Sequence, residues 1–247
     1  MKNKIVASTL EMMVPFIFII MAIASAPARV ATEEGTVKLT EKKDETFTKP
    51  SLITYLNQTK SPTIVLRVPL QVDKLLEENR YSKSQVYNTI EKELAKAEFI
   101  VRDRALYQKV LDQNVSTDYS KIKELTDTDL ILELVSADDE KYNTNQYTNK
   151  RGKSKITDGP MTIFGKQVEF KLIKVKENDL VGSYTFHFTP CVNGCLYNID
   201  HFGSLYNISN TSKVIKPYEF VTQDRLEEFY KNCAKLLIKE LRPFSYR

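Results

Sequence analysis

Two neighbouring segments in the second half of the chain alternate between apolar and polar residues. In KQVEFKL (166–172) the apolar residues occupy every second position, and GSYTFHF (182–188) repeats the pattern. Successive side chains of a strand point to opposite faces, so each segment predicts a strand with one apolar face. KEND (176–179) between them is typical of a turn. The chain therefore contains a β-hairpin with one buried face and one face, including His187, in water.

The segments before this hairpin predict strands and helices in turn. TIVLRVPLQV (63–72) is rich in β-branched residues and predicts a strand, which Pro69 should end or bulge. A capping box at Ser82 and Gln85 predicts the start of a helix. That helix carries an apolar residue every three or four positions, at Val86, Ile90, Leu94 and Ala97.

The remaining elements complete the predicted order. FIVR (99–102) predicts a short strand, and a helix with Leu106, Tyr107, Val110 and Leu111 on its buried side follows. A short helix over 119–126 then leads into the apolar run 128–137, whose composition favours a central strand. Residues 138–165 are polar and predict a long loop or a weak edge hairpin. The last helix covers 222–241, with an apolar stripe at Leu226, Phe229, Tyr230, Cys233, Leu237 and Leu241.

The order β-α-β-α-α-β-β-β-α predicts an α+β fold in which helices pack on a mixed β-sheet. The chain has 247 residues, of which 42% are hydrophobic and 28% charged, and this suits one globular domain with extensions. We assign the domain to residues 63–247. Residues 27–62 are polar and predict a tether, with a short ordered patch around Leu52–Leu56.

The N-terminus has the layout of a secretion signal. Lys2 and Lys4 precede an apolar run that ends in small residues, and Ala22-Ile23-Ala24 offers a cleavage site. Residues 1–26 are therefore predicted to be a signal peptide. The alternative is an uncleaved N-terminal anchor, which would be the chain's one contact with a membrane. The expected location is the periplasm or the periplasmic face of the cell envelope.

The sequence RDR at 102–104 lies where a predicted strand passes into a helix. A carboxylate at this position accepts hydrogen bonds from the free N–H groups of the first helical turn and complements the helix dipole. A catalytic role for Asp103 would need a second carboxylate, a histidine or a nucleophile nearby, and no sequence motif supplies one. We interpret Asp103 and Arg104 as a structural cap.

The same region carries a family resemblance. An amphipathic helix followed by IVRDRALYQKVL, TDTDLILELV and EFKLIKVKENDLVGSYTF resembles the exported domains of the CsgG-like, TolB N-terminal-like and LpoB-like group. Asp103-Arg104 and Thr128-Asp129 stand at that group's acidic signatures. Asn178 and Asp179 replace its usual turn glycine, and the lipid-anchor cysteine of most members is missing. The resemblance implies a core related to anticodon-binding folds and a role in protein–protein contacts.

The segment from the end of the hairpin to residue 201 contains both histidines of the chain and two of its three cysteines. HFTPCVNGCLYNIDH contains His187, Cys191, Cys195 and His201, which could hold a zinc ion. In an exported protein the two cysteines would more naturally form a disulfide across the Asn193-Gly194 turn. Free thiols are the third alternative. Cys233 belongs to the apolar stripe of the last helix and is predicted to be core packing.

Aromatic residues are dense around this loop. Exposed aromatic side chains commonly anchor protein partners, although buried ones simply build a core. The candidate binding residues are Phe186, Phe188, Tyr197, Phe202 and Tyr206.

The sequence therefore favours a non-catalytic envelope module that binds another envelope protein or assembles with itself. A periplasmic metal- or ligand-binding module organised by the His/Cys loop is the alternative. No cofactor is expected, and the net charge of +4 without a basic cluster does not favour nucleic acid. A hydrolase would need a motif such as a nucleophile elbow or HExxH, and neither occurs.

Overall fold

The structure is a computed structural model that describes residues 31–69, 72, 83–105, 107 and 119–242. The predicted signal peptide, the capping position Ser82 and the helix positions Leu106, Val110 and Leu111 lie outside these residues. The described helices are α1 (Pro50–Gln58), α2 (Lys83–Lys96), α3 (Tyr119–Thr126) and α4 (Gln223–Leu241). Among them, none is long and apolar enough to cross a bilayer.

Within the described residues, ten strands form one sheet. They are β1 (Thr32–Val37), β2 (Glu45–Thr48), β3 (Thr63–Arg67), β4 (Ile100–Val101), β5 (Leu130–Asn149), β6 (Ser154–Lys174), β7 (Asp179–Phe188), β8 (Cys195–Asp200), β9 (Leu205–Asn207) and β10 (Asn210–Val214). The main path runs β10-β9-β8-β1-β5-β6-β7-β2, and β3 pairs with β5 and β4. The β3 pairings are parallel, whereas the others are antiparallel.

A long hairpin made by β5 and β6 organises the sheet. The two strands have 20 and 21 residues, and their pairing runs from Leu130 opposite Lys174 to Thr148 opposite Ser154. At the turn, the Asn149 side-chain oxygen accepts the N–H groups of Arg151 and Lys153, each at 3.0 Å. At about 3.3 Å per residue, strands of this length are long enough to contribute to two separate hydrophobic cores.

The neighbouring strands pair with different parts of this hairpin. On the outer edge of β5, β3 pairs with the first residues (130–133), and β1 pairs at the far end (148–149). On the other side, β7 pairs with the part of β6 from 166 to 174. The hairpin therefore connects a helix-backed half of the molecule to a half built from strands.

The two halves bury opposite faces of the hairpin. On β6, Val168, Phe170 and Leu172 belong to the large core, whereas Met161 and Ile163 belong to a smaller one. The pairing with β5 is continuous through 161–169, so even and odd residues there point to opposite faces. We call these clusters the helical core and the strand core.

The helical core forms between the sheet and three of the described helices. Val86, Ile90 and Leu94 of α2 are buried in it, as the spacing predicted. Leu52 and Leu56 bring α1 into the same cluster. The predicted stripe of α4 is confirmed, since Leu226, Phe229, Tyr230, Cys233, Leu237 and Leu241 are all buried.

A third small cluster lies on the opposite side of β3 and β5. Val65, Ile131 and Val175 are fully buried there against Tyr107. Their neighbours Ile64 and Leu130 point into the helical core. Because these short stretches are covered on both faces, their sequences are apolar without alternation, as predicted for a central strand.

The predicted α+β fold class is wrong. The chain is dominated by one large, mostly antiparallel sheet with few helices, and the order β-α-β-α-α-β-β-β-α misses several of its strands. The largest difference falls at 138–165, where a loop or weak hairpin was predicted and β5 and β6 instead continue. Polarity was misleading because an antiparallel strand needs an apolar residue only at alternate positions, here Tyr142, Met161 and Ile163.

Part of the segment predicted as a tether also lies in the sheet. β1 pairs with both β5 and β8, β2 pairs with β7, and α1 follows directly. Val37 and Leu39 are the apolar residues that this segment places in the strand core. Otherwise the segment is held in the sheet by main-chain hydrogen bonds to β5, β7 and β8. A polar composition does not reveal such bonds, because the main chain of almost every residue can form them.

Candidate functional site

The two neighbouring cysteines of the Cys loop are bonded to each other. Cys191 and Cys195 form a disulfide with their Cα atoms 5.0 Å apart, which confirms the predicted bridge. The turn inside it is closed by Gly194 N–H donating to the Cys191 carbonyl at 2.9 Å. Gly194 has φ +90°, a conformation that glycine tolerates. A structural disulfide is compatible with an exported protein.

The segment 38–44 crosses beside the end of β7 and reaches this loop. Leu39 N–H donates to the Cys191 carbonyl at 3.2 Å, and Lys42 N–H donates to Thr189 Oγ1 at 3.0 Å. Further along, Asp44 Oδ1 accepts the His187 main-chain N–H at 2.9 Å. These bonds hold Glu41 and Asp44 next to the disulfide loop.

One side of α4 faces the same region. Arg225, Glu228, Asn232 and Leu236 recur every three or four residues and are exposed, so they form one rim of the helix. Phe229 and Cys233 lie beside them and are buried. Phe229 packs against Phe188 of β7, with ring centroids 5.8 Å apart.

Between α4, the end of β7, the segment 38–44 and the disulfide loop lies a cleft of about 530 Å³. Its volume is within the range of clefts that hold ligands. Three exposed carboxylates, from Glu41, Asp44 and Glu228, border it together with the single guanidinium of Arg225. Within the described ranges, none of these four groups forms an ion pair. The cleft therefore combines an apolar floor with an acidic border.

A buried polar network lies beside the cleft. His187 Nδ1 is 2.9 Å from Glu140 Oε2, and the same carboxylate binds Lys42 Nζ and accepts the Tyr142 hydroxyl at 2.6 Å. Burial raises the pKa of Glu140, but the hydrogen bonds from Lys42, Tyr142 and His187 lower it overall. Glu140 of β5 is thus held as a carboxylate by Tyr142 of the same strand, His187 of β7 and Lys42 of the segment 38–44.

His187 does not face water as the hairpin pattern predicted. Its side chain is only 2% exposed. Nδ1 faces the Glu140 carboxylate, and Nε2 has no hydrogen-bond partner in the part of the chain that the structure describes. Alternation could not reveal this burial, because Lys42 and Glu140 are distant in sequence.

The five candidate aromatic residues are not brought together. Phe186 and Tyr206 are buried, and the Tyr206 hydroxyl donates to Asp200 at 3.1 Å. Phe186 and Phe188 line the cleft. Tyr197 is half-buried, and burial raises its pKa to about 12 although nearby Arg225 opposes this change.

Phe202 occupies a separate turn between β8 and β9. Its side chain is 64% exposed, and its ring lies 3.9 Å from that of His201. The carboxylate of Asp200 accepts the N–H groups of Phe202 and Ser204 at 3.0 and 2.8 Å and so holds the turn. Because β8 separates this turn from the disulfide, Phe202 lies roughly 20 Å from the cleft.

The set predicted for a metal does not assemble. Cys191 and Cys195 are bonded to each other, so neither offers the thiolate that zinc requires. His201 stacks on Phe202 at the other end of β8, away from His187. Among the described residues, no group of three or more His, Cys, Asp or Glu side chains could hold a metal ion.

The RDR junction lies apart from the cleft. The Asp103 carbonyl accepts the Tyr107 N–H at 3.1 Å, which begins the helical hydrogen bonding, and the Asp103 side chain is exposed. Arg104 pairs with Glu91 of α2 at 3.1 Å and covers the Tyr87 ring at 4.3 Å. These contacts attach the start of one helix to α2. The side-chain capping role of Asp103 stays a prediction.

Asp129, the other acidic position in the resemblance, joins β3 to β5. Its carboxylate accepts the Thr63 N–H at 2.9 Å and the Thr63 hydroxyl at 2.8 Å, and it binds Lys123 Nζ at 2.5 Å. Burial raises the pKa of Asp129, but these bonds lower it overall. The residue therefore stabilises a strand junction.

Comparisons with known proteins give little beyond this geometry. No protein-family model and no curated protein sequence matches the chain. A structure described as a neuraminyllactose-binding hemagglutinin homolog from Helicobacter pylori is 11% identical with a TM-score of 0.35, covering 76% of this chain and 90% of that one. A PDZ domain protein from Parabacteroides distasonis is 11% identical with a TM-score of 0.36, covering 92% of this chain and 40% of that one. Neither likeness supports an argument about function.

Proposed function

We propose that this chain is an exported, non-catalytic module of the cell envelope that binds a protein segment in the cleft between α4 and the disulfide loop. The partner is another envelope protein or a second copy of the chain. The resemblance to the CsgG-like, TolB N-terminal-like and LpoB-like group supports the same role, and the periplasm is the proposed location.

The observation that carries the proposal is the composition of the cleft. The aromatic rings of Phe188 and Phe229 are part of its lining, and its border carries charged groups that form no ion pair among the described residues. Binding surfaces combine an apolar centre with a polar rim in this way. The disulfide and the hydrogen bonds of the segment 38–44 hold two walls in place, which reduces the entropy lost on binding.

The metal-binding alternative is not proposed, because the disulfide removes two of its four ligands. For catalysis, the cleft offers Cys233 as a thiol. Burial raises the pKa of that thiol well above its ordinary value, so it is protonated at neutral pH. A binding role, unlike nucleophilic catalysis, does not require Cys233 to be a thiolate.

Site-specific photo-crosslinking in cells tests this proposal. A photoreactive phenylalanine at Leu236, which lies exposed on the rim of the cleft, is expected to capture one envelope protein or a second copy of the chain. The matched control carries the same group at Leu125, which is exposed on α3 and does not border the cleft.

The substitution Asn232→Trp fills the cleft from an exposed helix position and should remove the Leu236 adduct while leaving the circular-dichroism spectrum unchanged. Equal adducts at Leu236 and Leu125, or an adduct that survives Asn232→Trp, would contradict the proposal. So would the absence of any adduct from Leu236.

A further inference from the structure

The charged groups around the cleft are unequal in number. Glu41 and Asp44 come from the segment 38–44, and Glu228 comes from the facing side of α4. Carboxylates therefore approach the cleft from two separate walls. Arg225 is the one arginine or lysine among the described lining residues, against three carboxylates, so the border is acidic although the whole chain has a net charge of +4.

The carboxylates are available to a ligand. The structure shows no ion pair for Glu41, Asp44 or Glu228 within its described ranges, whereas Glu140 nearby is already occupied by Lys42, Tyr142 and His187. One oxygen of Asp44 accepts the His187 main-chain N–H at 2.9 Å, which fixes the orientation of that carboxylate. A cation entering between the two walls would meet carboxylates on both sides.

The aromatic part of the lining favours a second, apolar element in the ligand. Phe188 and Phe229 meet there with ring centroids 5.8 Å apart, Cys233 is buried beside them, and Leu236 is exposed at one end. Such a floor is covered favourably by an aliphatic or aromatic side chain. A free small cation would leave it in contact with water.

We infer that the cleft recognises a peptide segment in which a lysine or arginine lies next to an apolar side chain, the cation between the carboxylates and the apolar group on the Phe188–Phe229 floor. This inference rests on the proposed function and names the chemistry of its partner. The long stem of either basic residue adds apolar contact while its charged end stays near the border. Electrostatic complementarity of this kind selects a partner more than it adds affinity.

Panning a random short-peptide library against the full chain tests the inference. Counter-selection against the Asn232→Trp variant, in which the cleft is filled, removes peptides that bind elsewhere on the protein. Peptides that require the open cleft are expected to be enriched in lysine or arginine beside an aromatic or aliphatic residue. Cleft-dependent peptides without that enrichment, or the absence of cleft-dependent peptides, would overturn the inference.

Charge variants then test the walls with a selected peptide as the probe. Replacing Glu41 and Glu228 together by Gln should weaken its binding about five-fold or more, and added salt should weaken binding to the original chain but affect the variant less. Arg225→Gln should strengthen binding of the same peptide, because it removes a positive charge that repels the cation of the peptide. Glu240→Gln is the control: Glu240 is exposed on α4 outside the cleft, and binding should be unchanged.

Failure of this inference can be separated from failure of the proposed function. If the double Gln variant binds normally and the Leu236 crosslink persists, the cleft binds a partner but does not select a cation. If Leu236 forms no crosslink, the proposed function itself fails.

Discussion

The helical core and the strand core lie on opposite faces of one hairpin and are stabilised in different ways. The helical core buries apolar residues from α1, α2 and α4 against the sheet. The strand core contains fewer buried residues, namely Val37, Leu39, Met161, Ile163, Cys191, Ile199 and Leu205, and its buried members all come from strands and loops. A disulfide and a carboxylate-held turn adjoin it. Where less apolar surface is buried, covalent and polar restraints take a larger share of the stability.

The largest expected effect comes from the helical core. Phe170 is fully buried and packs edge-on against Phe186, with ring centroids 6.2 Å apart. Phe170→Ala should lower the free energy of unfolding by about 3–5 kcal/mol, because it removes apolar contacts and leaves a cavity. Urea unfolding followed by circular dichroism measures this. Phe47→Ala at an exposed edge position is the control, and an equally large loss there would show that burial does not explain the effect.

Removing the disulfide should have a smaller and more local effect. The double substitution Cys191→Ala and Cys195→Ala opens a short loop, for which chain entropy predicts a loss of about 2 kcal/mol. Amide hydrogen exchange should increase around the strand core and change little in α2 and α4. Uniform acceleration across both cores would show that the two halves unfold as one unit. Cys233→Ala is the matched control for loss of a cysteine outside the bridge.

The smallest effect concerns the carboxylate-held turn. Burial raises the pKa of Asp200, but hydrogen bonds from Ser204, Tyr206 and Phe202 lower it overall. Since the folded pKa is below the unfolded one, ionised Asp200 stabilises the protein above about pH 4, and this contribution is lost as the pH falls through the folded pKa. Asp200→Asn should lower the free energy of unfolding by about 1 kcal/mol at neutral pH.

Unfolding free energies of the original chain and Asp200→Asn, measured across acidic pH, check this sign. The gap between the two proteins should narrow as the solution is acidified. A gap that widens, or one that does not depend on pH, would contradict the assignment of a stabilising ionised carboxylate. Asp129→Asn provides the comparison in the helix-backed half. Burial raises the pKa of Asp129, but its bonds with Lys123 and Thr63 lower it overall, as the hydrogen bonds of Asp200 do.

Several local features were correctly predicted because neighbours in sequence decide them. The stripe of α4 follows helical spacing, the β6–β7 hairpin follows strict alternation, and Cys191 and Cys195 are close enough to bond across a glycine turn. Of the five aromatic candidates, two line the cleft and three do not. Phe186 and Phe188 line the cleft, but Phe202 lies at a different turn, and sequence distance did not indicate which would meet.

The amino-acid sequence by itself determined the period and apolar face of α2, α4 and the β6–β7 hairpin, since these depend on side chains a few residues apart. Only the tertiary structure decided that β5 and β6 extend through a polar stretch, that β1 and β2 join the sheet, and that Glu41 and Glu228 line the same cleft. Those features rest on main-chain pairing and on contacts between residues far apart in the chain. Composition carries little record of either, because every residue except proline offers the same backbone hydrogen-bonding groups.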